Sequence, residues 1–96
     1  MKIIWDSKKA ASNPKNHDGV TFEEARQVLF DPLALTREDS ESENEQRFVT
    51  LGMGGKGRIL MVVYTYREET IRVISSWKAN EPQRRRYESQ FWQNVW

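Results

Sequence analysis

Cationic side chains recur along this chain at Lys9, His17, Arg47, Arg58, Arg72, Lys78 and the run Arg84 to Arg86. They carry its clearest chemical capacity, because there is no cysteine and only one histidine. A disulfide, a thiolate metal site and a Cys nucleophile are therefore excluded. Any metal would have to be held by carboxylates and a single imidazole, with no HExxH or other paired-ligand spacing, so neither a metal nor a cofactor is expected. A Ser-His-Asp triad would need His17, but no serine stands in a nucleophile-elbow context. Gly52, Gly54, Gly55 and Gly57 are followed by no GK[ST] and no helix signal, so they read as a turn and not as a phosphate cradle.

Such cations suit the cleavage of RNA without a metal. RNA supplies its own nucleophile, the 2′-hydroxyl beside the scissile phosphate. The protein must hold that phosphate in line, stabilise the added charge of the transition state and move two protons. Arg and Lys provide the electrostatic part. His, Lys or a carboxylate provides the acid and base, and Tyr or Trp can stack on a base. The same inventory also fits a small nucleic-acid-binding or interaction domain that cleaves nothing.

The chain that must position these groups has 96 residues, of which 38% are hydrophobic and 30% charged. That length supports one domain, 1–96, with residues 89–96 extending the last helix as an aromatic tail. The longest strongly apolar run, Ile59 to Val63, is far short of the roughly 20 residues that span a bilayer. The start, Met1 to Asp6, has no long apolar stretch of a signal peptide. With no cysteine, a cytoplasmic location is expected. Net charge is only +1, but it is segregated. Glu38, Asp39, Glu41, Glu43 and Glu45 crowd one stretch, and Lys78 and Arg84 to Arg86 another, so local potential departs from the total.

The pattern predicts a strand over 2–5 and a short helix over 7–12, capped by Asp6 or Ser7 and broken at Asn13-Pro14. Thr21 and Glu24 form a capping box that opens a helix over 22–30, and Asp31-Pro32 stops it. Strands are expected over 33–37, 47–53, 58–65 and 70–76, with 38–46 as an acidic loop. Arg72 alternates with Ile71 and Val73 and so faces away from them. Asn80 caps a last helix that begins at Glu81-Pro82. The fold expected is α+β: a small curved antiparallel sheet of four to five strands, with two N-terminal helices and a C-terminal helix. Tyr87, Phe91, Trp92 and Trp96 offer either a cover for the sheet or a docking surface for another chain.

Several stretches in order resemble the BrnT toxin family. Ile3-Ile4-Trp5-Asp6 is followed by Lys9, Asn13 and the block His17-Asp18-Gly19-Val20-Thr21-Phe22-Glu23-Glu24-Ala25. Phe30-Asp31-Pro32, Glu45-x-Arg47 with Gly52, and Ile71-Arg72-Val73-Ile74-Ser75 continue it, and Lys78-Ala79 and Arg84-x-x-Tyr87-Glu88 complete it. The resemblance covers residues 1 to about 88. It implies a RelE-like fold and the toxin of a bacterial type II toxin–antitoxin pair, an RNA endonuclease that arrests translation and growth. It further implies neutralisation by a BrnA-like ribbon-helix-helix antitoxin, possession of operator DNA only through that antitoxin, and a toxin dimer within a heterotetramer.

Carried over by position, the resemblance makes Lys9, His17, Arg47 and Arg72 the catalytic candidates. It makes Trp77, Lys78, Arg84 and Arg85 the RNA-binding ones, with Tyr87, Phe91, Trp92 and Trp96 left for a protein partner. Trp77 stands where the family pattern has arginine, and a Trp cannot donate two parallel hydrogen bonds to a phosphate. The departure raises a second expectation: a catalytically weakened chain that still binds its antitoxin in an operon-repressing complex. Asn16 and Asp18 also flank His17 where the pattern has Lys and Gly.

Overall fold

The computed structural model describes residues 1–40 and 44–93. The elements run β1 (Lys2–Trp5), α1 (Ser7–Asn16), α2 (Phe22–Arg26) continued by a 3-10 turn (Gln27–Phe30), β2 (Leu35–Asp39), β3 (Arg47–Met53), β4 (Ile59–Arg67), β5 (Thr70–Lys78) and α3 (Glu81–Gln93). The five strands form one sheet in the order β1-β5-β4-β3-β2. The architecture is the expected α+β sheet with helices. One pairing departs from the all-antiparallel expectation: β1 runs parallel to β5, Lys2 opposite Thr70 and Trp5 opposite Val73.

Each sheet face has its own core. On the first, Val20, Phe22, Ala25 and Val28 from α2 and its flanks pack on Leu60, Val62, Tyr64, Ile71 and Val73. On the second, Tyr87 of α3 packs with Val49, Leu51, Ile59, Met61 and Val63. β4 serves both, and its burial is continuous from Ile59 to Thr65, as a central strand covered on both sides requires. The β3–β4 hairpin closes on glycine. Gly57 has φ +80, and a Cβ on Gly54 would come within 2.6 Å of Leu60 Cδ1, so both positions exclude larger residues.

Asn13-Pro14 does not break α1, which runs on to Asn16 with the proline inside it. Proline costs the helix one amide donor. The continuation is held by the Asn13 side chain, which is 4% exposed. Its Nδ2 donates to the carbonyls of Val20 and Ser76, both at 2.8 Å, and its Oδ1 accepts from the Ser76 amide at 3.2 Å. β1 pairs with β5 only as far as Val73. Beyond that point the Asn13 carboxamide takes the place of a neighbouring strand at Ser76.

Smaller differences follow from tertiary contacts. The helix expected over 22–30 tightens to 3-10 geometry at Gln27. The strand expected over 33–37 lies at Leu35–Asp39, because Asp31 Oδ1 accepts from the Leu33 amide at 2.9 Å and holds that segment in a turn. Glu38 and Asp39 therefore belong to β2 and not to the acidic loop. Asn80 caps α3 as expected: its Oδ1 accepts from the Gln83 amide and its own amide donates to Gln83 Oε1, both at 2.9 Å.

Asn13→Ala would leave three buried backbone groups unpaired, at about 1–3 kcal/mol each. The expected loss is about 3 kcal/mol or more, read as a Tm drop of roughly 12 °C or more. Asn13→Asp keeps the acceptor but loses both donors, so it should destabilise as well. Urea unfolding of the three proteins checks this.

Candidate functional site

The sheet register decides which cations share a surface. Arg47 pairs with Thr65, and Thr65 pairs with Arg72. The three lie in one row across β3, β4 and β5, on the second face, two positions along β3 from Val49. Adjacent strands are about 4.8 Å apart, so the two arginine backbones are roughly 10 Å apart, within reach of one phosphate for two long side chains. Both arginines are half-buried. Among the described residues, neither guanidinium has a hydrogen-bond or ion-pair partner.

Lys78 does not join them. Alternation puts Lys78, six positions after Arg72, on the same face. A bulge intervenes: Val63 pairs with Ser75 and Tyr64 with Val73, leaving Ile74 extra on β5. After the bulge, Trp77 pairs with Met61 of the second face, and Lys78 with Leu60 of the first. Arg72 and Trp77 thus share a face, whereas Lys78 is turned away. Lys78 instead lines a hollow of about 280 Å³ with Arg58, Arg84 and Glu88.

Lys9 and His17 come to the β5 edge by way of α1. Asn13 addresses that edge at Ser76, and Ala10 turns toward the first core. Lys9 is about 100° round the helix from Ala10, on the other side of Asn13, so it flanks the second face. It is exposed, and its amide is held by Asp6 Oδ2 at 3.0 Å. His17 follows the last turn of α1, its ring centred 5.8 Å from that of Trp77. Trp77 also packs against the second core. Lys9, His17, Arg72 and Trp77 therefore string along β5, with Arg47 across the sheet from Arg72. The five are not one tight cluster: Trp77 is five positions from Arg72, or roughly 16 Å.

Several candidates find other employment. Arg58 is committed to Glu24, donating from Nε at 2.7 Å and from Nη2 at 2.5 Å, and from Nη1 to the Asp18 carbonyl at 3.3 Å. Glu24 was expected to return to the start of its helix. Only Thr21 completes its half of that box, accepting from the Glu24 amide at 3.1 Å. Arg85 is paired with Glu81 on the surface of α3. Tyr87 is 2% exposed and donates its hydroxyl to Asp31 Oδ2 at 2.5 Å, so it belongs to the core and not to a docking surface. Phe91 remains 43% exposed beside Tyr87. The Trp92 side chain and Trp96 lie outside the described residues.

Two roles escaped the sequence pattern. Arg37 pairs with Val49 and so adds to the second face, where Arg86 of the 84–86 run also approaches from α3. The 35, 37, 39 alternation of β2 was the available signal for Arg37. The other is the role of Asp31, which accepts from the Met53 amide at 2.9 Å as well as from Leu33 and Tyr87. Among the described residues, no three His, Asp or Glu side chains are grouped so as to hold a metal ion. No helix among them is long and apolar enough to cross a membrane.

The family described as ribonuclease toxin, BrnT, of type II toxin-antitoxin system matches residues 5–82. The chain belongs to the BrnT family. Among solved structures, that of the Brucella abortus ribonuclease toxin BrnT matches with a TM-score of 0.62 and 23% identity, covering 84% of this chain and 99% of that one. At that identity the likeness speaks for the fold. No curated protein matches the chain. As a BrnT-family member it is a ribonuclease toxin of a type II system, with an antitoxin for a partner.

Two carboxyls bind the BrnT fold to pH. The Arg58 hydrogen bonds hold Glu24 below its ordinary pKa, outweighing its burial. Burial works to raise Asp31, but the bonds from Tyr87, Met53 and Leu33 together bring it below the usual value. Burial, then the bond to Asp31, pushes Tyr87 well up. Carboxyls lowered in the folded state contribute stability that is full above their unfolded pKa and lost as pH falls through the folded values. Tm should fall below about pH 5. Asp31→Asn should lower Tm at pH 7 and flatten that acid decline, as thermal melts across the range will show.

Proposed function

We propose that this chain is an RNA endonuclease that needs no metal, and that the second sheet face is where it grips RNA. The observation that carries the reading is the Arg47–Thr65–Arg72 row, in which two half-buried guanidiniums, without partners among the described residues, flank Thr65 on one sheet face. The RNA strand would follow β5, with a phosphate held between Arg47 and Arg72. Lys9 and His17, flanking the strand from α1, would be the groups that neutralise charge and move protons as the 2′-hydroxyl attacks and the 5′-oxygen leaves. Trp77 would offer its ring to a base. Lys78 and Arg84, on another surface, would bind RNA only outside the cleaved segment. Translation arrest, neutralisation by a BrnA-like antitoxin, operator contact through that antitoxin and a heterotetramer with two toxins belong to the same reading, as do the RelE-like relationship and the cytoplasmic setting.

A second reading has its own observation. Trp77 is packed against the second core and against His17, where the family pattern has an arginine that could reach a phosphate. Loss of one preorganised donor typically costs about 2.7–4 kcal/mol of barrier. On this reading the chain binds its antitoxin but cleaves slowly.

Induction of the chain alone in bacteria should arrest growth and degrade RNA. Arg47→Ala and Arg72→Ala should each lower cleavage about 10²–10³-fold, with stability within about 0.5 kcal/mol of the parent because neither guanidinium has a partner among the described residues. Normal growth with soluble protein would refute the nuclease reading. Toxicity that appears only in Trp77→Arg would establish the second one.

A further inference from the structure

The second face continues past the arginine row into a small cleft under α3. Its volume is about 170 Å³, below the roughly 300 Å³ at which pockets for whole drug-sized ligands begin. It therefore takes one ring system and not a whole nucleotide. Its floor is apolar, made by Val49, Leu51 and Met61, and its polar rim is Arg37 from β2 with Gln83 and Arg86 from α3. Val49 follows Arg47 by two positions on the same strand and face, about 7 Å away, so a base in the cleft and a phosphate at Arg47 belong to neighbouring parts of one strand.

The rim is built of donors. Gln83 spends its carbonyl on the Asn80 amide, which leaves Nε2 as its free end. Arg37 uses Nη1 on the Glu38 carbonyl at 3.4 Å, and its other N–H groups have no partner among the described residues. Arg86 has no side-chain partner among the described residues. Among the described residues no carboxylate lines the cleft, and the Thr36 hydroxyl is engaged with Thr50 at 2.8 Å. We propose that this cleft is a guanine-binding subsite that selects where the RNA is cut. Guanine presents two adjacent acceptors, O6 and N7, to such a rim. Adenine would turn an exocyclic amine toward donors, and uracil O4 stands beside an N–H; cytosine offers O2 and N3 as a comparable pair, but on a single ring that covers less of the apolar floor than a purine does. The proposal rests on the ribonuclease reading for its role, but not for its binding chemistry.

The test has two arms. In the first, guanosine and cytidine monophosphates are titrated separately into the full chain and the methyl resonances of Val49, Leu51 and Met61 are followed. Guanosine monophosphate should bind at least about tenfold more tightly. Gln83→Glu keeps an oxygen for the Asn80 amide but replaces the free donor by an acceptor, so it should abolish or invert that preference without loss of Tm. In the second arm, an RNA with all four bases around each candidate cut is digested, and cuts should cluster beside guanine. Equal binding of both nucleotides, or no methyl shift with either, overturns the subsite whether or not the chain cleaves. Cleavage without base preference overturns it and leaves the nuclease reading standing. Methyl shifts produced by a synthetic Glu- and Leu-rich peptide, but not by guanosine monophosphate, would assign the cleft to a protein partner instead.

Discussion

The arrangement depends on one side chain that behaves as a piece of β-strand. β1 is too short to cover β5, and an uncovered edge leaves backbone groups that must be satisfied. Asn13 supplies a donor and an acceptor to Ser76 from a single carboxamide, and a second donor to Val20. Those bonds anchor α1 beside β5 through a proline that would otherwise end it. They also set where Lys9 and His17 stand relative to Arg72.

Asp31 plays the matching part on the far side. Its carboxylate gathers the end of the 3-10 turn, the end of β3 and the hydroxyl of Tyr87. Gln90 adds a bond from α3 to the Leu33 carbonyl at 2.8 Å. Together they hold α3 over the β2–β3 side of the second face. The helix therefore covers the part of that face made by Val49, Leu51 and Met61. The arginines differ in their ties: Arg58 is bound to the buried Glu24 carboxylate, as the cost of burying an unpaired charge demands, while Arg47 and Arg72 have no side-chain partner among the described residues.

Much of this was legible from local chemistry. Thr21, Asn80 and the Gly54–Gly57 turn act through neighbours a few residues away, so their roles follow from residue type and spacing. The strands at 47–53 and 70 onward likewise show their apolar periodicity directly. Tyr87 and Arg85 were harder, because an aromatic or a cation on a helix has several possible partners. Only Asp31, fifty-six residues from Tyr87 in the chain, decides that the ring belongs inside.

By itself, then, the order of residues determined the α+β class, the cap positions, the lack of any thiolate chemistry and a family pattern centred on cations. The tertiary structure alone decided which cations act together. One extra residue at Ile74 reverses the parity of β5, so Trp77 and Arg72 share a face and Lys78 does not. Likewise, Arg58 lies thirty-four positions from Glu24 and is neutralised only when hairpin and helix meet. Side-chain direction along a strand is a running count that a bulge can reset, and partnership across the sheet is a matter of register. Both are properties of pairing between distant segments, which no local pattern contains.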